Sequence, residues 1–243
     1  MFLTLLLLAG ITYLICTLFS KNSGEITETD KKPSVFLGSG GVHAATSVVE
    51  KIQVKSPEEM AFITERNGVT YLTLFGHEML LVNKEYSLPS DFGGENAEAT
   101  AALNTLYSAA TNDGISLWTV SGYRSYEEQE SVYAGHVANK GQEEADKVSA
   151  RPGHSEHQTG LAFDVNKLLS SFGSTPEGIW LEENMADYGF ILRYPEGKTE
   201  WTGYSYEPWH IRYVGVELAQ KIHESGLTVE ELIAQNSFSL FSE

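Results

Sequence analysis

The 243-residue chain carries 33 acidic against 16 basic side chains, a net charge of −17, with 42% of its residues hydrophobic. A surface this acidic repels phosphate backbones and argues against nucleic acid as a partner, whereas the apolar share suffices for one sizeable core. The single cysteine, Cys16, leaves no intramolecular disulfide and no cysteine-rich zinc site, so any bound metal must be held by histidines and carboxylates.

The N-terminal run MFLTLLLLAGITYLICTLFS, residues 1–20, contains no charge. As a helix it spans roughly 28 Å, close to the ~30 Å hydrocarbon core of a bilayer. It reads as a transmembrane signal-anchor or a signal peptide. No small-x-small cleavage motif directly follows it, which favours the uncleaved anchor. Residues 21–57 mix polar residues and glycine clusters without a sustained period, and read as a flexible linker or stalk. Extended, such a stalk reaches at most ~120 Å. Residues 58–243 are the expected folded domain.

Within that domain, GVTYLTLFGHEMLLVNKEYSLPSDF alternates β-branched and aromatic residues, interrupted at Gly76-His77, and predicts a short hairpin. NAEATAALNTLYSAATNDG predicts a helix with Ala102, Leu103, Leu106, Tyr107 and Ala110 as its apolar stripe. ISLWTVSGYRS predicts a strand running into a turn. SYEEQESVYAGHVANKG restarts a helix, with Ser125 as N-cap and Glu128 at capping-box spacing. GLAFDVN is a strand, WLEENMADYGF a short helix stopped by Gly189, GFILRYP and PWHIRYVG strands, and GVELAQKIHESGLTVEELIAQ two closing helices. The irregular interleaving predicts an α+β fold with a mainly antiparallel central sheet flanked by helices.

Asp164 sits between Phe163 and Val165, an unusual place for a carboxylate, seven residues after His157 with Gly160 between them to permit a bend. A hydrolytic zinc site needs three protein ligands and an open position. His157 and Asp164 supply two, and His210 in EPWHIRYVG the third. His154, three residues from His157, is the rival ligand. Glu207, three residues before His210, is the right type for a general base. Its neighbours Trp201, Tyr204, Tyr206 and Trp209 are positioned to desolvate the pocket and tune its pKa. Arg124, at the expected end of a strand, is suited to a substrate carboxylate or an oxyanion.

Four segments together, LVNKEYSLPSDF, SGYRSYEEQ, PGHSEHQTGLAFDV and GFILRYP with TGYSYEPWHIRYVG, resemble the VanY-type D,D-carboxypeptidases and the related LdcB-type L,D-carboxypeptidases of bacterial cell walls. The resemblance covers roughly residues 68–232. It implies the zinc carboxypeptidase fold, one Zn²⁺ on His157, Asp164 and His210, and Glu207 as catalytic base. It further implies Arg124 at the oxyanion or substrate, and Gln129 and Ser155 in contact with the end of the peptide. The implied partners are peptidoglycan stem peptides, with D-Ala-D-Ala the main expectation. The alternatives are an L,D-carboxypeptidase acting on tetrapeptide stems, an endopeptidase cutting inside the wall, and a non-catalytic wall-binding relic. The implied location is the extracytoplasmic face of a bacterial membrane, anchored by residues 1–20, with secretion after cleavage as the variant.

Overall fold

A computed structural model describes residues 60–236. The expected anchor and linker lie outside these residues. Among the described residues no helix is long and apolar enough to cross a membrane.

The chain opens with a three-stranded antiparallel sheet, β1 (Phe62–Arg66), β2 (Val69–Leu74) and β3 (His77–Leu80). Both connections are two-residue turns with positive φ at each central residue, Asn67 (54°) and Gly68 (74°), then Phe75 (52°) and Gly76 (81°). Such turns match the right-handed twist of the flanking strands. The β2–β3 hairpin falls where the alternation predicts it. β1 was not anticipated, because its residues are exposed throughout and lack a two-residue period of apolar side chains.

Helix α1 (Ala97–Asn112) follows, capped by Asn96, whose side chain accepts from the Ala99 N–H. β4 (Thr119–Ser121) is shorter than the predicted strand. The Asn166 side chain takes the Trp118 N–H and donates to the Ser116 carbonyl, replacing ladder bonds just before β4. Helix α2 (Tyr126–Lys140) carries the full capping box expected of Ser125 and Glu128. The short helix α3 (Gln142–Val148) packs beside it.

The central sheet has the order β4-β5-β7-β6 and is antiparallel throughout, with β5 (Ala162–Val165), β6 (Phe190–Leu192) and β7 (His210–Tyr213). Helix α4 (Pro176–Asn184) precedes β6, and its continuation to Tyr188 stops at Gly189, as its sequence indicates. α5 (Thr199–Thr202), α6 (Val216–Ser225) and α7 (Val229–Asn236) complete the described residues. This is the expected antiparallel sheet flanked by helices.

Strand side chains alternate between faces. Phe163 and Val165 of β5 and Ile211 of β7 enter a core with Leu103 and Leu106 of α1 and Phe190 of β6. Each such burial stabilises by about 1.5–3 kcal/mol. The opposite face of the same two strands carries Asp164, His210 and Arg212, all buried. A second core, Leu72, Leu74, Ile191, Leu218 and Leu232 among others, joins the hairpin sheet to α6 and α7.

Candidate active site

The β5–β7 register sets Asp164 directly opposite His210. Their side chains therefore leave the same face of adjacent strands. His210 Nδ1 lies 3.1 Å from Asp164 Oδ1. His157 comes from a single 3₁₀ turn, Glu156–Thr159, that ends at Gly160 with φ of 68°. A Cβ at Gly160 would meet the Gly94 carbonyl oxygen at 2.1 Å, so only glycine closes this turn. The bend brings His157 Nε2 to 3.2 Å from Asp164 Oδ2.

The other nitrogen of His157, Nδ1, is 2.7 Å from the Gly122 carbonyl. A carbonyl only accepts, so Nδ1 carries the proton and Nε2 keeps its lone pair. The two imidazoles meet edge to face at 5.1 Å. One ligand atom each from His157, Asp164 and His210 falls within 4.8 Å of the others, all three residues being buried. Two imidazole nitrogens and one carboxylate oxygen suit zinc, and three converging protein donors leave room for a fourth.

The electrostatics favour a cation here. Burial opposes charge on Asp164, yet His157 and His210 outweigh it and hold the carboxyl well below the usual range. Burial likewise opposes charge on His210, but its bonds to Asp164 and Glu156 push it up to about 9. A pocket that draws a proton so strongly also draws a metal, which competes for the same lone pairs.

These residues line a cavity of about 370 Å³ with Glu207, Arg124 and Ser155. Glu207 sits on the loop before β7, with its N–H donating to the Tyr194 carbonyl and its own carbonyl accepting from His210. Burial pushes its carboxyl up to about 7, helped by Asp164 and opposed by His210. Arg124 donates to Ser121 Oγ at 2.7 Å and Gln129 Oε1 at 2.8 Å, while its N–H holds the His157 carbonyl. Gln129, 1% exposed, lines the cavity too, but its side chain is committed to Arg124 and, through its amide, to the Ala150 carbonyl. Its nearest visible work is to aim the guanidinium. His154 is turned elsewhere, with Nδ1 on the Asn83 carbonyl, outside the ligand cluster.

The aromatic wall differs in part from the sequence reading. Tyr204, Tyr206 and Trp209 line the cavity, but Trp201 is 49% exposed on α5 and does not. Its place is taken by Tyr194, which packs on His210 at 4.8 Å and on Tyr204 at 4.6 Å. The sequence reading also missed Glu156, Arg193 and Arg212, which lie buried behind His210. The available signal was the one that revealed Asp164, a charge flanked by apolar residues in a short strand, as in FILRY and HIRYV.

Comparison with known proteins agrees with this geometry. The family model described as VanY, D-alanyl-D-alanine carboxypeptidase, matches residues 94–216, half of the chain. A D-alanyl-D-alanine carboxypeptidase of Enterococcus faecalis (strain ATCC 700802 / V583) is 34% identical over 252 aligned residues, covering 92% of this chain and 87% of that protein. Among solved structures, the L,D-carboxypeptidase DacB from Streptococcus pneumoniae is 38% identical with a TM-score of 0.64, covering 74% of this chain and all of that one. A vancomycin-resistance D,D-pentapeptidase VanY from a VanB-type cassette, solved with Zn(II), is 37% identical with a TM-score of 0.56, covering 63% of this chain and 97% of that one. Sequence motifs, sheet register and these matches converge, and the chain belongs to the VanY D-alanyl-D-alanine carboxypeptidase family.

Proposed function

We infer that the protein is a zinc-dependent carboxypeptidase that removes the C-terminal D-alanine from peptidoglycan stem peptides ending in D-Ala-D-Ala. The observation that carries this reading is the convergence of His157, Asp164 and His210 in one cavity with Glu207 and Arg124. When bound, a zinc ion there supplies Lewis acidity at an open coordination position. Glu207, whose surroundings keep it a stronger base than a surface carboxylate, takes the proton of the attacking water and delivers it to the departing amine. Arg124, held by Ser121 and Gln129, presents its guanidinium to the charge that develops on the carbonyl oxygen or to the terminal carboxylate of the peptide. Ser155, 3% exposed and in the cavity lining, contacts the peptide end. Tyr194, Tyr204 and Trp209 keep the site dry, which strengthens each of these interactions.

An L,D-carboxypeptidase acting on tetrapeptide stems is the second reading. It is favoured by the larger share of the chain that aligns with the L,D-carboxypeptidase DacB, 74% against 63% for the D,D-pentapeptidase. The two share metal and base and differ in the residue that precedes the scissile bond. Zinc-loaded protein incubated separately with a stem pentapeptide and a tetrapeptide, with products weighed by mass spectrometry, decides between them. Loss of one alanine from the pentapeptide alone, abolished by chelator, is the expected result. Loss from the tetrapeptide alone makes it an L,D-carboxypeptidase, and loss from neither refutes both.

We also propose that residues 1–20 anchor the protein to the outer side of a bacterial membrane. The uncharged apolar run of bilayer length supports this, as does a substrate class that lies outside the cell. Protease treatment of intact cells that fails to release or degrade the domain would refute it.

A further inference from the structure

Glu156, the residue before the first histidine ligand, is 2% exposed and makes two different kinds of contact. Oε1 accepts from Arg193 Nε and from Arg212 Nη1, both at 2.9 Å. Oε2 faces His210 Nε2 at 3.3 Å, the nitrogen on the far side of the ring from Asp164. We propose that Glu156 is a positioning residue for the metal centre. By accepting the Nε2–H of His210, it fixes the ring and leaves the Nδ1 lone pair for the ion. This rests on the zinc reading above and goes beyond it, because Glu156, although in the cavity lining, is not among the grouped ligand donors and meets the centre through His210.

The charge pattern shows why this position is held by a carboxylate. Arg193 and Arg212 are both fully buried behind His210. Arg193 is also bonded to both oxygens of Glu230 on α7, at 2.6 and 2.9 Å. Two guanidinium groups thus face two carboxylates, and the group is neutral as a whole, as buried charges require. Both arginines bind one oxygen of Glu156, which leaves the other free to serve the histidine. Metal-bound histidines generally place their second nitrogen on such an acceptor, and loss of that acceptor costs about 10–100-fold in metal affinity. His157 has its equivalent in the Gly122 carbonyl. For His210 the equivalent is Glu156.

The substitution Glu156→Gln separates this role from mere support of the fold. An amide has one acceptor oxygen, and the two arginines that share Oε1 hold it. The NH₂ group then turns to His210, donates to Nε2, and drives the proton to Nδ1, where it blocks the metal. Zinc affinity of the full chain, measured by competition with a chromogenic chelator, is expected to fall about 10–100-fold in E156Q. E230Q removes a partner of Arg193 without touching His210. It is expected to lower the melting temperature of the metal-free chain and leave zinc affinity within about threefold of wild type. Unchanged affinity in E156Q, or an equal loss in E230Q, would overturn the positioning role. Should E156Q not fold, the charge-balanced pair E156Q/R212Q carries the same measurement. Imidazole ¹⁵N NMR of the zinc-loaded wild-type chain tests the tautomer directly. A proton on Nε2 of His210 is expected, and one on Nδ1 overturns the proposal. A wild-type chain with no measurable zinc affinity refutes instead the functional reading on which this rests.

Discussion

Replacing Glu207 by glutamine should move activity and stability in opposite directions. The isosteric amide preserves shape but cannot take a proton. A general base contributes roughly 10²–10⁴-fold, so turnover is expected to fall by about 3–5 kcal/mol of barrier. Zinc content should not change, because Glu207 is not among the ligand donors. The stability effect follows from the rise of the Glu207 carboxyl to about 7. A carboxyl whose folded value exceeds its unfolded one favours the folded state fully below the unfolded pKa, about 4.3. That contribution is lost as pH rises through about 7, because the ionised side chain must be carried in the pocket. Full burial would set the penalty at about 4 kcal/mol above pH 7, at 1.36 kcal/mol per decade. Glu207 lines an open cavity, and solvent there reduces the figure to about 1.5 kcal/mol. For a chain of this size that is a gain of about 3–6 °C for E207Q at pH 8, with no gain at pH 4. Thermal melts of metal-free protein at both values, with turnover and zinc content at pH 7.5, make the test. Retained activity would remove Glu207 from the mechanism, and equal melting temperatures at pH 8 would show that its burial costs nothing.

Gly160→Ala forces a side chain into a left-handed residue and onto the Gly94 carbonyl oxygen. It should cost about 2–4 kcal/mol by chemical denaturation, and a loss under 1 kcal/mol would mean that the turn can move. Arg124→Lys cannot hold Ser121 and Gln129 while facing substrate. It is expected to lower kcat/KM roughly 10²–10³-fold with zinc content intact, and wild-type kinetics would deny the guanidinium a role. His154→Ala should leave zinc affinity within twofold, since its ring is spent on Asn83. A tenfold loss would restore His154 as a ligand.

Two of the three candidate metal donors were legible in the sequence because each breaks a local rule. Asp164 interrupts an apolar strand, and His210 lies three residues after an acid that no helix or turn requires. What stayed hidden depended on pairing. Nothing along the chain says that Asp164 sits opposite His210, since the residues are 46 positions apart and only the strand register joins them. Glu156 was passed over for the same reason. Its three partners come from β7 and from the residue after β6, and none is near it in sequence. Trp201 shows the converse, an aromatic residue close in sequence to the site that faces solvent from α5. The first strand of the hairpin sheet, β1, escaped because its exposed residues carry no burial pattern, although Asn67-Gly68 marked the turn.

The ion pair between Arg193 and Glu230 has a consequence for the order in which the molecule matures. Chains emerge from the ribosome N-terminus first. When residue 215 has been made, the three candidate metal donors, Glu207 and the whole central sheet exist. Arg193 at that moment still lacks its bidentate partner, which waits on the last described helix. Until then Arg193 shares the single Glu156 carboxylate with Arg212, and that excess of buried positive charge lowers the stability of the sheet without preventing its formation. Docking of the Glu230 helix therefore firms the wall behind His210 after the donor cluster and its sheet are already made.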